Sequence, residues 1–147
     1  MFQGCKNLRS VTIPNSVAGI DFEAFYKCES LPSIQLPCNI TTIPARAFSY
    51  CSNLARIEIP RGVTKIEIQA FDSCTNLTDV TLPEGLTHIG ECEFANCKAL
   101  TTITIPQSVT KIDDLAFRRC DNLRTVKLPM HLTPPYFIGS NFSVIRY

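Results

Sequence analysis

A repeat solenoid, mainly β, is the fold that this 147-residue sequence predicts. Three observations predict it. Phe recurs at Phe2, Phe25, Phe48, Phe71, Phe94 and Phe117, an unvarying interval of 23 residues. Other columns keep the same phase through six units without insertion or deletion, among them Cys5, Cys28, Cys51, Cys74, Cys97 and Cys120. Within each unit the spacing of apolar residues changes from three to two, so one stretch reads as a tight turn and the next as a strand. A coil of this size cannot bury its own apolar positions, but stacked coils bury one another's.

Each unit reads F-x-x-C-x-x-L-x-x-[IV]-x-[IL]-P-x-x-[VIL]-x-x-I. Phe, Cys and Leu at a spacing of three suit a short helical or 3₁₀ segment. Ala24, Ala47, Ala70 and Ala116 precede Phe in four of the units and fit a tight turn under the core. The [IV]-x-[IL] pair, such as Ile57 and Ile59, alternates at two and is rich in β-branched residues, as a half-buried strand is. The Pro that follows lacks an N–H and ends every strand at one place (Pro14, Pro37, Pro60, Pro83, Pro106, Pro129). Asn15-Ser16, Arg61-Gly62, Glu84-Gly85 and Gln107-Ser108 then suit turns. The closing V-x-x-I piece is a second short extended segment on another side. Like residues stack on like, and six rungs at the parallel-strand spacing give a body roughly 29 Å long.

Composition narrows the function classes. Fourteen basic residues against thirteen acidic give a net charge of +1, which argues against a general polyanion binder. An apolar content of 45% excludes a disordered chain, and the absence of an apolar run near 18 residues excludes a membrane-spanning helix. The eight Cys suggest disulfides or zinc only until their positions are considered. Six stand in one column predicted to be buried, where free Cys behaves as a small hydrophobe and in-register side chains disfavour the disulfide dihedral. Cys38 and Cys92 lie off the column and are expected outside. Cys92 and Cys97 have zinc-like spacing, but no second pair completes a site.

The L-x-x-[IV]-x-[IL] core is the start of a leucine-rich repeat. Together with the 23-residue period, the A-F-x-x-C-x-N-L segment (Ala47-Phe48 to Leu54; Ala70-Phe71 to Leu77) and the trailing I-P-x-x-V-x-x-I, it resembles the BspA-like, or Treponema pallidum-type, leucine-rich repeat family. The resemblance implies a right-handed, curved parallel β-solenoid with a strand-lined face and short helical turns. It also implies surface-exposed or secreted proteins used in adhesion and protein binding, a host surface or extracellular protein among the partners, with no shared catalytic residues. The solenoid is expected over residues 1–134, its first coil truncated. Residues 135–147 abandon the period and read as an irregular C-terminal cap or the beginning of a next segment. Met1 falls inside the first turn with no preceding cap and no signal peptide, which reads as a fragment of a longer array or as a short protein with an irregular first coil. A cytoplasmic scaffold of the same fold is the alternative location, and bare solenoid ends could stack end to end.

No catalytic constellation is expected. His88 stacks between Lys65 and Lys111, His131 sits at a turn, and neither has a nucleophile with a carboxylate orienter at matching phase. Asp113-Asp114 and Glu91 with Glu93 read as solubilising acids in connecting segments. No phosphate-binding glycine loop, metal motif or cofactor motif is present. Asn39, Asn76 and Asn141 open N-x-[ST] triplets, but Asn76 also stands in a column with Asn7, Asn53 and Asn122 that suits turn-stabilising hydrogen bonds.

The candidate binding residues are those between the inward positions of the strand and just past its Pro: Arg56, Glu58, Arg61, Asp79, Thr81, Glu84, Thr102, Thr104, Arg124 and Lys127. The surface is polar and of mixed sign. Arg56 with Asp79 and Arg61 with Glu84 are placed to pair across rungs. It reads either as a solubilising face or as a flat recognition strip for a protein or extended peptide. A nucleic acid is disfavoured, because the face has no basic stripe and no aromatic platform.

Overall fold

The computed structural model describes residues 2–134 and 142–147. It is a mainly β, parallel solenoid. On the strand side lie β2 (Arg56–Glu58), β4 (Asp79–Thr81), β6 (Thr102–Thr104) and β8 (Thr125–Leu128). A second side carries β1 (Thr42–Ile43), β3 (Lys65–Ile66), β5 (His88–Ile89) and β7 (Lys111–Ile112). The register is that of the repeat: Arg56 opposes Asp79, Ile57 opposes Val80, Thr102 opposes Thr125 and Ile43 opposes Ile66. The ladders are short. β2 pairs with β4 and β6 with β8, and on the second side β1 pairs with β3 and β5 with β7. The strand side is regular only from the third coil on; the second adds one bridge, Ser33 to Arg56.

The prolines act as expected and do a second job. In five coils the Pro carbonyl accepts the N–H three residues on, as in Val63 to Pro60 at 3.0 Å and Leu86 to Pro83 at 3.1 Å, so the residue that stops the strand also opens the turn.

The third side departs from expectation. The described residues contain no helix or 3₁₀ segment; Phe, Cys and Leu are linked by successive three-residue turns, Cys28 N–H to Phe25 and Leu31 N–H to Cys28. Pairs of residues in four successive turns, and a single one in the last, break any helix by adopting positive φ. One column holds Glu23, Arg46, Gln69 and Cys92, and the other Lys27, Tyr50, Ser73, Asn96 and Arg119, all between 54° and 62°. The alternation turns N–H groups along the solenoid axis, where they bond the next coil: Phe25 to Ala47 at 2.8 Å, Lys27 to Ser49 at 2.9 Å, Tyr50 to Asp72 at 2.8 Å. The turn side is therefore a hydrogen-bonded ladder with no strand in it, and its buried backbone groups are satisfied.

The core is one continuous stack. Phe2, Phe25, Phe48, Phe71, Phe94 and Phe117 form a column of nearly parallel rings with centroids 5.2–5.7 Å apart. The strand face is the concave one, on which the second to fourth coils leave an open groove. Cys28, Cys51, Cys74, Cys97 and Cys120 are buried, and each thiol donates to the carbonyl of a Phe in the preceding coil, Cys51 to Phe25 at 3.1 Å for example. Cys therefore fits the column as a small hydrophobe that also supplies a donor. Cys5, in the first coil, departs from the expected burial and is exposed.

At the other end, β9 (Ser143–Arg146) adds a rung beside β8, with Val126 opposing Val144. Its partners lie 18 residues back, so this turn is shorter than a repeat. Arg146 secures it by donating to the carbonyls of Pro129, at 2.9 Å, and Leu132, and the Tyr147 hydroxyl bonds the carbonyl of Ile105. Within residues 135–147, Ser143–Arg146 form this strand. Met1 and residues 135–141, with Asn141 of the third N-x-[ST] triplet, lie outside the described residues.

Candidate functional site

The strand geometry sorts side chains by alternation. Ile57 and Ile103 turn inward and are buried, while Arg56, Glu58, Thr102 and Thr104 turn outward. All ten candidate residues are exposed. The fold brings five of them, Arg56, Glu58, Arg61, Asp79 and Thr81, around one open groove of about 890 Å³ on the concave side of the second to fourth coils. Ser33, Gln35, Cys38, Pro60 and Gly62 line it as well. Of these, Ser33, Gln35 and Cys38 belong to the same outward columns, which is the signal that would have placed them in the site. Gly62 allows a close approach: a Cβ there would stand 3.3 Å from the carbonyl oxygen of Ile40. Glu84, Thr102, Thr104, Arg124 and Lys127 lie on the face but outside the groove.

The expected cross-rung ion pairs do not form. Arg56 stands directly opposite Asp79, yet among the described residues neither this pair nor Arg61 with Glu84 closes to ion-pair distance. The Asp79 carboxylate instead accepts the Thr78 hydroxyl at 3.2 Å. An exposed pair gains little in water and must hold two long side chains still. The side chains of Arg56, Glu58, Arg61 and Glu84 are left with no hydrogen-bond or ionic partner among the described residues. Arg124 bonds the carbonyl of Asp121 at 2.8 Å.

Two other expectations change. His88 does have a carboxylate beside it: its Nε2 lies 3.3 Å from Asp113 Oδ2, and Lys111 Nζ lies 2.8 Å from Asp113 Oδ1. The Lys111 hydrogen bond, then His88, holds the Asp113 carboxyl below its usual range. Glu93 is no solubilising acid. It is 1% exposed, takes the place that Ala holds in four other coils, and one of its oxygens has no partner. Its other oxygen reaches the space over Gly90, 3.0 Å from where a Cβ would stand. Burial pushes its carboxyl up to about 8.

Four thiols of the core column, those of Cys28, Cys51, Cys74 and Cys97, are held protonated. Burial raises Cys28 to about 11 and Cys51 to about 12, and Cys74 and Cys97 well above the ordinary thiol range. Cys38 is exposed as expected, whereas Cys92 is half-buried. The Asn column bonds along the axis, Asn76 to Asn53 at 3.2 Å and Asn122 to the Lys98 carbonyl at 2.8 Å. Among the described residues no group of three His, Cys, Asp or Glu side chains is placed to hold a metal ion, and no helix is long and apolar enough to cross a membrane.

Residues 1–124 match the BspA type leucine-rich repeat region in six copies. The chain belongs to the BspA-type leucine-rich repeat family. Three solved structures of this architecture resemble it. The leucine-rich repeat protein of T. pallidum is 33% identical with a TM-score of 0.74, over 85% of this chain and 60% of that one. A leucine-rich cell surface protein of Faecalibacterium prausnitzii is 25% identical with a TM-score of 0.74, over 100% and 55%. A leucine-rich repeat protein of Eubacterium ventriosum is 31% identical with a TM-score of 0.73, over 95% and 36%. The chain thus spans less than two thirds of the length of each. No curated protein matches it in sequence. BspA-type repeats suggest a protein-interaction role, and their fold is typically non-enzymatic.

Proposed function

We propose that the chain is a non-catalytic adhesion or recognition module whose concave strand face binds a protein or an extended peptide. The observation that carries this reading is the groove between the second and fourth coils, rimmed by charges that the protein leaves unpaired. Unpaired charges can meet a partner's opposite charges without first breaking contacts within the chain. Arg56, Glu58, Arg61, Asp79 and Thr81 form the rim, and Glu84, Thr102, Thr104, Arg124 and Lys127 extend the strip toward β9. A peptide laid along it meets alternating signs, which favours register and discrimination more than raw affinity. The likeness to a cell surface protein supports a site of action at the cell surface, within a longer protein. A scaffold in a reducing compartment is the second reading, favoured by the exposed free thiol at Cys38.

The test is selection from a displayed random-peptide library on the whole chain, followed by rebinding to a variant with Arg56, Glu58, Arg61 and Glu84 replaced by Ala. Enriched peptides should bind the variant at least about tenfold more weakly, the loss of ~1.4 kcal/mol. Undiminished binding would reject the face, and failure to enrich any peptide would favour a spacer.

A further inference from the structure

On the turn side, opposite the groove, Tyr26 and Tyr50 meet edge to face with centroids 5.7 Å apart. The Lys27 ammonium lies 5.2 Å from the first ring and 5.8 Å from the second. Lys27 has no carboxylate within ion-pair distance among the described residues. Tyr50 is 44% exposed and stands at φ 62°, where a bulky side chain costs energy that an exposed ring does not recover by burial. The same column continues with Ser73 and Asn96, both at positive φ and half-buried, which hold the Asp72 carboxylate at 3.2 and 2.8 Å.

We propose that this cluster is a binding site for an acidic glycan. The C–H face of a sugar ring is drawn to the electron-rich face of an exposed aromatic ring, and Tyr50 offers one. A uronate-type carboxylate would neutralise Lys27, whose charge the two tyrosines attract but do not cancel. An acidic peptide could satisfy the cation but has no use for the exposed ring, so the sugar is the better fit. The site shares no residue with the strand face and does not rest on the reading of that face.

The experiment titrates the whole chain with an oligogalacturonate hexamer, a neutral maltohexaose and hexaglutamate. The uronate should bind best. Tyr50→Ala should weaken it about tenfold, Tyr50→Phe should leave it within about twofold, and Lys27→Met should erase the preference over the neutral sugar. The concave-face pair Arg56→Ala, Arg61→Ala should leave binding unchanged. No uronate binding by the folded chain would overturn the proposal. So would equal binding of hexaglutamate, or full binding by Tyr50→Ala with its circular dichroism intact; Lys27→Met reads the site independently should that variant not fold.

Discussion

Glu93 shows how much one departure from a repeat can change. The column it occupies otherwise holds Ala24, Ala47, Ala70 and Ala116, all buried. Its carboxyl fits because Gly90 leaves the neighbouring space empty. Burial, with the Asp113 charge adding to it, disfavours ionisation and outweighs the Gly90 backbone hydrogen bond, so the folded chain holds this proton up to about pH 8 against an ordinary 4.5. A proton held more tightly by the folded state stabilises it fully below the ordinary value and stops doing so as pH rises through the folded one. The wild type should therefore lose stability relative to Glu93→Gln between pH 4.5 and 8. The gap should approach about 4–5 kcal/mol above that range. Urea denaturation of both proteins across this interval measures it; parallel pH profiles would mean the carboxyl is hydrated. In sequence Glu93 stands two residues from Glu91, which made it look like surface charge. The column position carried the contrary signal.

At the scale of the element, the strand and the Pro-led turn were legible because their cues are chemical: alternation at two, β-branching and a missing donor. The turn side was legible only in its spacing. Phe25, Cys28 and Leu31 recur at three in a 3₁₀ segment and equally in linked three-residue turns. What separates the two is the sign of φ at Lys27 and its equivalents, and no glycine marks those positions after Gly4. The columns hold Lys, Tyr, Ser, Asn and Arg instead, each bearing the cost of a left-handed conformation, of order 1–2 kcal/mol. The inter-coil bonds made by the turned N–H groups offset it, Ser73 to Ala95 at 2.8 Å being one. Ser73→Val, β-branched at φ 62°, should destabilise the fold by about 1–3 kcal/mol, while Ser73→Asn should stay within about 0.5 kcal/mol. Equal melting temperatures for the two variants would show that the turn side relaxes out of this conformation.

For the whole molecule, the columns told which residues face out, and the ten candidates do; they did not tell which outward charges would pair. Pairing depends on rotamers and on competitors such as the Thr78 hydroxyl, none of which is periodic. The aromatic pair on the turn side was equally hard to foresee, because Tyr26 and Tyr50 sit in adjacent columns of adjacent coils and meet only on a diagonal. What is periodic is the core, and it makes stability a matter of neighbours, since each coil touches only the coils beside it. Phe71 is fully buried, with Phe48 at 5.4 Å and Phe94 at 5.3 Å. Phe2 stacks on Phe25 alone and is 39% exposed. Phe71→Ala should cost about 3–5 kcal/mol, and Phe2→Ala less, about 1–2 kcal/mol, because part of its ring is already in contact with water. The pair also tests how the stack unfolds. If coils couple strongly, Phe71→Ala lowers the midpoint of a single denaturant transition. If they couple weakly, it splits the transition in two, one half melting on either side of the fourth coil. A loss at Phe2 as large as that at Phe71 would contradict a nearest-neighbour stack, for it would make the end of the ladder as consequential as its middle.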